Sequence, residues 1–148
     1  MTKREALNGK PRRAGIEHDI MESFEPGKII PHCYHYNGYG AEHVCFKAPR
    51  VKYNGAALLA LDKTVFHTFG FLWEPDGYTV YIDGKQHGPK VGRGKKEAVS
   101  ETEQFILLTT EAKWFRNNRM TGKGVPELEA ALGDEFLVDY VRVFDIVE

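Results

Sequence analysis

At 148 residues the chain has the size of one ordinary domain. Its 42 % apolar content is enough for a single core and too high for a disordered chain. A formal net charge of −1 gives no global pull toward nucleic acid or an anionic membrane surface, and no run of eighteen apolar residues is present to span a bilayer as a helix.

Fifteen glycines and a 12 % aromatic share favour a β-rich protein with many turns. Residues 1–14 are polar, with Asn8-Gly9 and Pro11 breaking any regular element, and read as an N-terminal loop. The first ten residues are basic but lack the apolar stretch of a signal peptide. Gly15 to Phe24 reads as a strand interrupted by charges, and Ile29 to Tyr36 with Glu42 to Lys47 as a hairpin. Phe66 to Trp73 is aromatic and β-prone. Glu74-Pro75-Asp76-Gly77 supplies a turn, Tyr78 to Ile82 the return strand, and Asp83-Gly84 a type I′ turn signal. Residues 88–100, rich in Gly and Lys, read as a loop, and Gln104 to Thr110 as another strand. Trp114 to Gly124 reads as a long loop, Pro126 to Leu132 as one short helical turn, and Glu135 to Val147 as an apolar closing strand. The class expected from this order is antiparallel all-β, a sandwich or barrel.

A hairpin centred on Tyr39 would set Cys33 opposite Cys45 and His35 opposite His43. The cysteines then form either a disulfide, which needs an oxidising compartment, or two small buried side chains.

Gly15-Ile16-Glu17-His18-Asp19-Ile20-Met21-Glu22-Ser23 is the unusual segment, with three acids in six residues. On a regular strand 17, 19 and 21 share a face and 22 points away. A β-bulge at Ile20-Met21 would return Glu22 to the side of the other two. Crowded carboxylates raise one another's pKa, and retaining glycoside hydrolysis needs such a pair, one ionised and one protonated. Two other readings stand beside this one: a solvated acidic strand face, and a metal site using His18, Asp19 and Glu22, against which His18 should point away from Asp19.

Glu17-x-Asp19-x-x-Glu22 resembles the bulged Glu-x-Asp-x-x-Glu signature of family 16 glycoside hydrolases. These are laminarinase- and lichenase-like members of the concanavalin A-like lectin/glucanase superfamily. Downstream, His35-Tyr36-Asn37-Gly38-Tyr39-Gly40 is similar to a His-Trp-Asp-Gly-Tyr-Gly pattern of some members. Phe66 to Gly77 followed by Tyr81-Ile82-Asp83-Gly84-Lys85 resembles the family's Trp-hairpin and Asp-Gly turn. Val138-Asp139-Tyr140-Val141-Arg142-Val143-Phe144 is similar to its closing strand, so the resemblance covers about residues 15–147.

The resemblance implies an antiparallel β-jelly-roll sandwich over residues 15–148 and hydrolysis of a β-linked polysaccharide, a β-glucan or galactan. Glu17 matches the nucleophile, Asp19 the assisting acid and Glu22 the general acid/base. His35 falls near the cleft or is a cross-strand partner of His43. Trp114 is either a sugar-stacking platform or a core or loop-anchoring residue, and Trp73 a packing residue. No cofactor is implied for the chemistry; Asp139 matches a position near a structural calcium in many members. The expected partner is the polysaccharide, with neither nucleic acid nor membrane. Such polymers stay outside cells, so the parent protein is expected to be extracellular or periplasmic. A lectin-like binding module and a transglycosylase are the alternative functions.

His18 stands where the family has an aliphatic residue, and needs a partner or solvent on the opposite face. Family members carry several strands before the acidic motif, whereas only sixteen residues precede Glu17 here. The expectation is therefore the C-terminal half of the domain, lacking N-terminal strands that a missing segment or a second copy would supply.

Overall fold

A computed structural model of the chain describes residues 15–25, 28–30, 32–37, 41–47, 59–92, 99–110 and 135–147. Every regular element among these is a strand. They are β1 (Glu17–Asp19), β2 (Glu22–Glu25), β3 (Lys28–Ile30), β4 (Cys33–Tyr36), β5 (Val44–Lys47), β6 (Leu59–Ala60), β7 (Phe69–Glu74), β8 (Gly77–Ile82) and β9 (Lys85–Gly92). They pair antiparallel into three three-stranded sheets, ordered β1-β4-β5, β2-β3-β6 and β7-β8-β9. The all-β expectation therefore holds for the described residues. The N-terminal loop 1–14, Trp114, the loop Trp114–Gly124 and the short turn Pro126–Leu132 lie outside them.

The expected strand Gly15–Phe24 divides at Ile20–Met21 into β1 and β2, each in a different sheet. The turn Pro75-Asp76 and the return strand β8 fall where the sequence places them. β8 is the central strand of its sheet, and Tyr78, Thr79, Val80 and Ile82 are all buried. This explains its near-continuous apolar and β-branched content. At its end Asp83 and Gly84 both take positive φ, 50° and 73°, as a type I′ hairpin turn requires.

Further expectations are corrected, beginning with the strand expected over Ile29–Tyr36, which divides into β3 and β4 in different sheets. β7 begins at Phe69, because residues 62–68 are occupied by local bonds: Thr64 donates to Asp62 Oδ1 through its amide at 2.9 Å, and His67 Nε2 lies 2.9 Å from the Asp62 carbonyl. The loop expected from residue 88 starts later, because β9 runs on to Gly92. A register shift between Tyr78 and Val80 absorbs Gly88-Pro89 as a bulge, and pairing resumes at Tyr78 and Val91. Neither Gln104–Thr110 nor Glu135–Val147 is a strand. Alternating apolar residues specify a face, but a strand also needs a second backbone to accept its ladder, and no described residue pairs with either segment. Finally, the β4–β5 hairpin pairs His35 with Cys45 and Cys33 with Lys47, two residues from the register expected for a centre at Tyr39. Cys33 and Cys45 are thus not opposed, and both are free thiols.

The chain forms two compact units, Met1–Phe105 and Ile106–Glu148. All nine strands lie in the first. Its core joins Ile16, Tyr34, Tyr78, Val91 and Val99, with Tyr36 and Phe71 packed against them. Tyr34 of β4 meets Tyr78 of β8 edge to face at 5.8 Å, a pairing worth about 0.5–1.5 kcal/mol beyond the area it buries. The back of the β1-β4-β5 sheet is thereby fixed on the β7-β8-β9 sheet, which leaves the other face of β1 and β4 to carry polar groups. In the second unit the Arg142 guanidinium lies 4.4 Å from the centre of the Tyr140 ring.

Candidate active site

Strand alternation builds this site. Glu17 and Asp19 project from one face of β1, while His18 between them enters the core side. Their cross-strand partners on β4 are His35 and Cys33, which alternate in the same way around Tyr34. Past the break at Ile20–Met21, Glu22 opens β2. Its side chain nevertheless returns to the Asp19 face: the Cys33 sulfur lies 3.0 Å from Asp19 Oδ2 and 3.0 Å from Glu22 Oε2. The backbone thus brings Asp19 and Glu22 onto one sulfur. Glu17 is near enough for its charge to act on Glu22, although Glu17 itself is exposed.

His35 closes the group. Its Nε2 is 3.3 Å from Asp19 Oδ2 and 3.6 Å from Cys33 Sγ, and its Nδ1 is 2.8 Å from His43 Nε2. The two imidazoles lie nearly parallel, 5° apart, although His43 is not the direct cross-strand partner of His35. His35 thus touches the acidic face, and it contacts His43 from a neighbouring position and not as its direct cross-strand partner, which is Cys45.

The electrostatics are asymmetric. Burial raises the Glu22 carboxyl above the usual carboxylate range, and the charges of Asp19 and Glu17 raise it further; the Cys33 contact and His35 oppose this. Burial, then the two adjacent carboxylates, push the Cys33 thiol up, so that it stays protonated. A thiol carries one hydrogen and can donate to only one of its two close oxygens at a time.

Asp19, Cys33 and His35 each offer one donor atom within 4.8 Å of the others, a grouping compatible with a metal ion. The alternative set of His18, Asp19 and Glu22 does not assemble. His18 is on the opposite face, its ring 5.1 Å from those of Phe71 and Tyr78 and 6.3 Å from that of His32. Desolvation lowers His18 to about 4 and, with the nearby His18, lowers His32 to about 3. His18 Nδ1 and both ring nitrogens of His32 find no hydrogen-bond partner among the described residues. His18 thus packs as an apolar side chain would, as a neutral ring.

Cys33 is the residue sequence reasoning missed. Its spacing two before His35 is the signal that places it on the His35 face, whereas the expected opposition to Cys45 is not made by the register. Trp73, expected to pack, is exposed on β7, and Asp139 is exposed in the second unit. Comparison of the chain with protein-family models, with curated proteins and with solved structures finds no match.

Proposed function

We propose that the chain carries the catalytic strand of a retaining, endo-acting glycoside hydrolase of the family 16 type, built on a β-jelly roll and acting outside the cell on a β-linked polysaccharide. One observation supports this above the rest: Asp19 and Glu22 meet at the Cys33 sulfur, and burial with the charges of Asp19 and Glu17 biases Glu22 toward its protonated form.

In this reading the Glu22 proton passes to the glycosidic oxygen as the bond from that oxygen to the anomeric carbon breaks. Glu17 attacks the same carbon through a carboxylate oxygen and forms a glycosyl ester. Glu22, now a carboxylate, takes a proton from water, whose oxygen displaces Glu17 and restores both groups. Asp19 stands between them on β1, and its contacts with Cys33 and His35 fix its orientation. Two inversions at one carbon give a product of retained anomeric configuration.

The test is release of reducing ends from a panel of β-glucans and galactans, with the first-formed anomer read by NMR. Glu22→Gln is expected to lower the rate about 10²–10⁴-fold, as loss of a general acid does. A Glu17→Gln variant as active as the parent would overturn the assignment.

A further inference from the structure

We infer that Asp19, Cys33 and His35 form a binding site for a borderline-soft divalent cation of the zinc class. The donors are one carboxylate oxygen, one sulfur and one imidazole nitrogen, all gathered within 4.8 Å. This mixed set suits zinc and its neighbours, whereas calcium and magnesium prefer oxygen alone.

The spacing agrees with a shared tetrahedral ion. With metal–sulfur bonds of about 2.3 Å and metal–nitrogen and metal–oxygen bonds of about 2.0–2.2 Å, the donors around such an ion stand roughly 3.6 Å apart for sulfur and nitrogen and 3.4 Å for nitrogen and oxygen. Cys33 Sγ and His35 Nε2 are 3.6 Å apart, and His35 Nε2 and Asp19 Oδ2 are 3.3 Å apart. The sulfur–oxygen pair at 3.0 Å is shorter than the roughly 3.6 Å of a bound tetrahedron, as a thiol–carboxylate hydrogen bond requires, and must open slightly when the ion enters.

The surroundings orient the ligands. His43 Nε2 can accept the Nδ1 proton of His35, which turns the Nε2 lone pair toward the sulfur and carboxylate. Cys33, 2 % exposed, and Asp19 are held on paired strands at opposed positions, so neither needs a loop to order it. On binding, a sulfur–metal bond forms and the thiol proton leaves to solvent; there is no redox change. Three protein donors leave a fourth position for Glu22, whose Oε2 is 3.0 Å from the same sulfur, or for water.

A consequence rests on the hydrolase reading: the ion takes Asp19 and crowds Glu22, so zinc silences the enzyme until a chelator removes it. The binding itself does not depend on that reading.

The probe is cobalt(II), added to the full chain with its thiols kept reduced. The expected result is a near-ultraviolet thiolate-to-cobalt charge-transfer band saturating at one ion per chain and abolished by excess zinc. Cys33→Ser removes the band. His43→Ala keeps it and weakens binding about 10–100-fold, as loss of an outer-shell partner does. No band in the parent, or an unchanged band in Cys33→Ser, overturns the site. If Cys33→Ser does not fold, His35→Asn decides, with at least a tenfold loss of affinity expected and an unchanged affinity overturning it. A cobalt band from a chain that releases no reducing ends when assayed metal-free, in chelator, would leave the cation site standing and remove the enzyme reading; metal-free hydrolysis without a band on adding cobalt would do the reverse.

Discussion

Cys33 stands across the β1–β4 pair from Asp19, with its sulfur 3.0 Å from the carboxylate Oδ2 and an equal distance from Glu22. The contact opposes the burial that raises Glu22. Removing the sulfur in Cys33→Ala should therefore move the Glu22 titration further upward. A pH titration of side-chain carboxyl carbons by NMR reads this directly, and a midpoint that stays in place would show that sulfur and carboxyl do not interact.

Stability should fall in acid because of the pair of buried imidazoles. His18 and His32 have folded-state values of about 4 and about 3 against an ordinary 6.5. Their contribution is full above 6.5. As pH falls below that, the unfolded chain takes up protons that the folded one refuses, and stability is lost down to the folded values. The slope is at most about 1.4 kcal/mol per pH unit for each histidine. Urea unfolding at pH 7 and pH 5 should show the decline, and His32→Phe should flatten it; parallel lines for parent and variant would contradict this origin.

His67 titrates in the other direction. Its Nδ1 lies 2.8 Å from Asp83 Oδ2 and its Nε2 2.9 Å from the Asp62 carbonyl, so two oxygens accept from a doubly protonated ring. The Asp83 bond is the larger cause of its raised pKa and the Asp62 carbonyl the next. The stabilisation is present below pH 6.5, the ordinary value, and is lost as pH rises through the raised one. Asp83→Asn should return the His67 midpoint toward its ordinary value in proton NMR.

Two glycines on the β7-β8-β9 sheet should respond unequally to alanine. At Gly84 a Cβ meets nothing within 4 Å, and only its φ of +73° opposes the change, a penalty of about 1–2 kcal/mol. At Gly77 the Cβ would come within 2.5 Å of the Val91 carbonyl oxygen, so backbone of β9 must move. Gly77→Ala should thus cost more than Gly84→Ala in chemical unfolding. The reverse order would mean that β8 and β9 pair differently.

The residues whose local chemistry decides their structure were legible in the sequence. Asp83-Gly84 announces its turn because few other pairs tolerate two positive φ values. The spacing of Glu17, Asp19 and Glu22 announces a break, since period two otherwise sends the last acid away. Features set by a distant partner were not legible. Gln104–Thr110 alternates poorly but is apolar enough to suggest a strand, and only a missing ladder decides against it. The β4–β5 register differs from the expected one by two residues, which keeps every side chain on its face while changing its neighbour. That shift kept the His35–His43 encounter and dissolved the opposition of Cys33 and Cys45.

The joint at Ile20–Met21 has a consequence of its own. Asp19 is anchored by the ladder to β4, and Glu22 by the ladder to β3, yet no ladder spans the two residues between them. Shortening that joint by one residue would preserve the parity of the acids on an unbroken strand. What the longer spacing provides is a hand-over: the backbone leaves one sheet and enters another while its acids keep facing the same way. The distance between two carboxyls is thereby made a property of two separate sheets. Loosening β6 from β3, outside the sheet that holds Asp19, would therefore reach the spacing of Glu22 and Asp19 through β2.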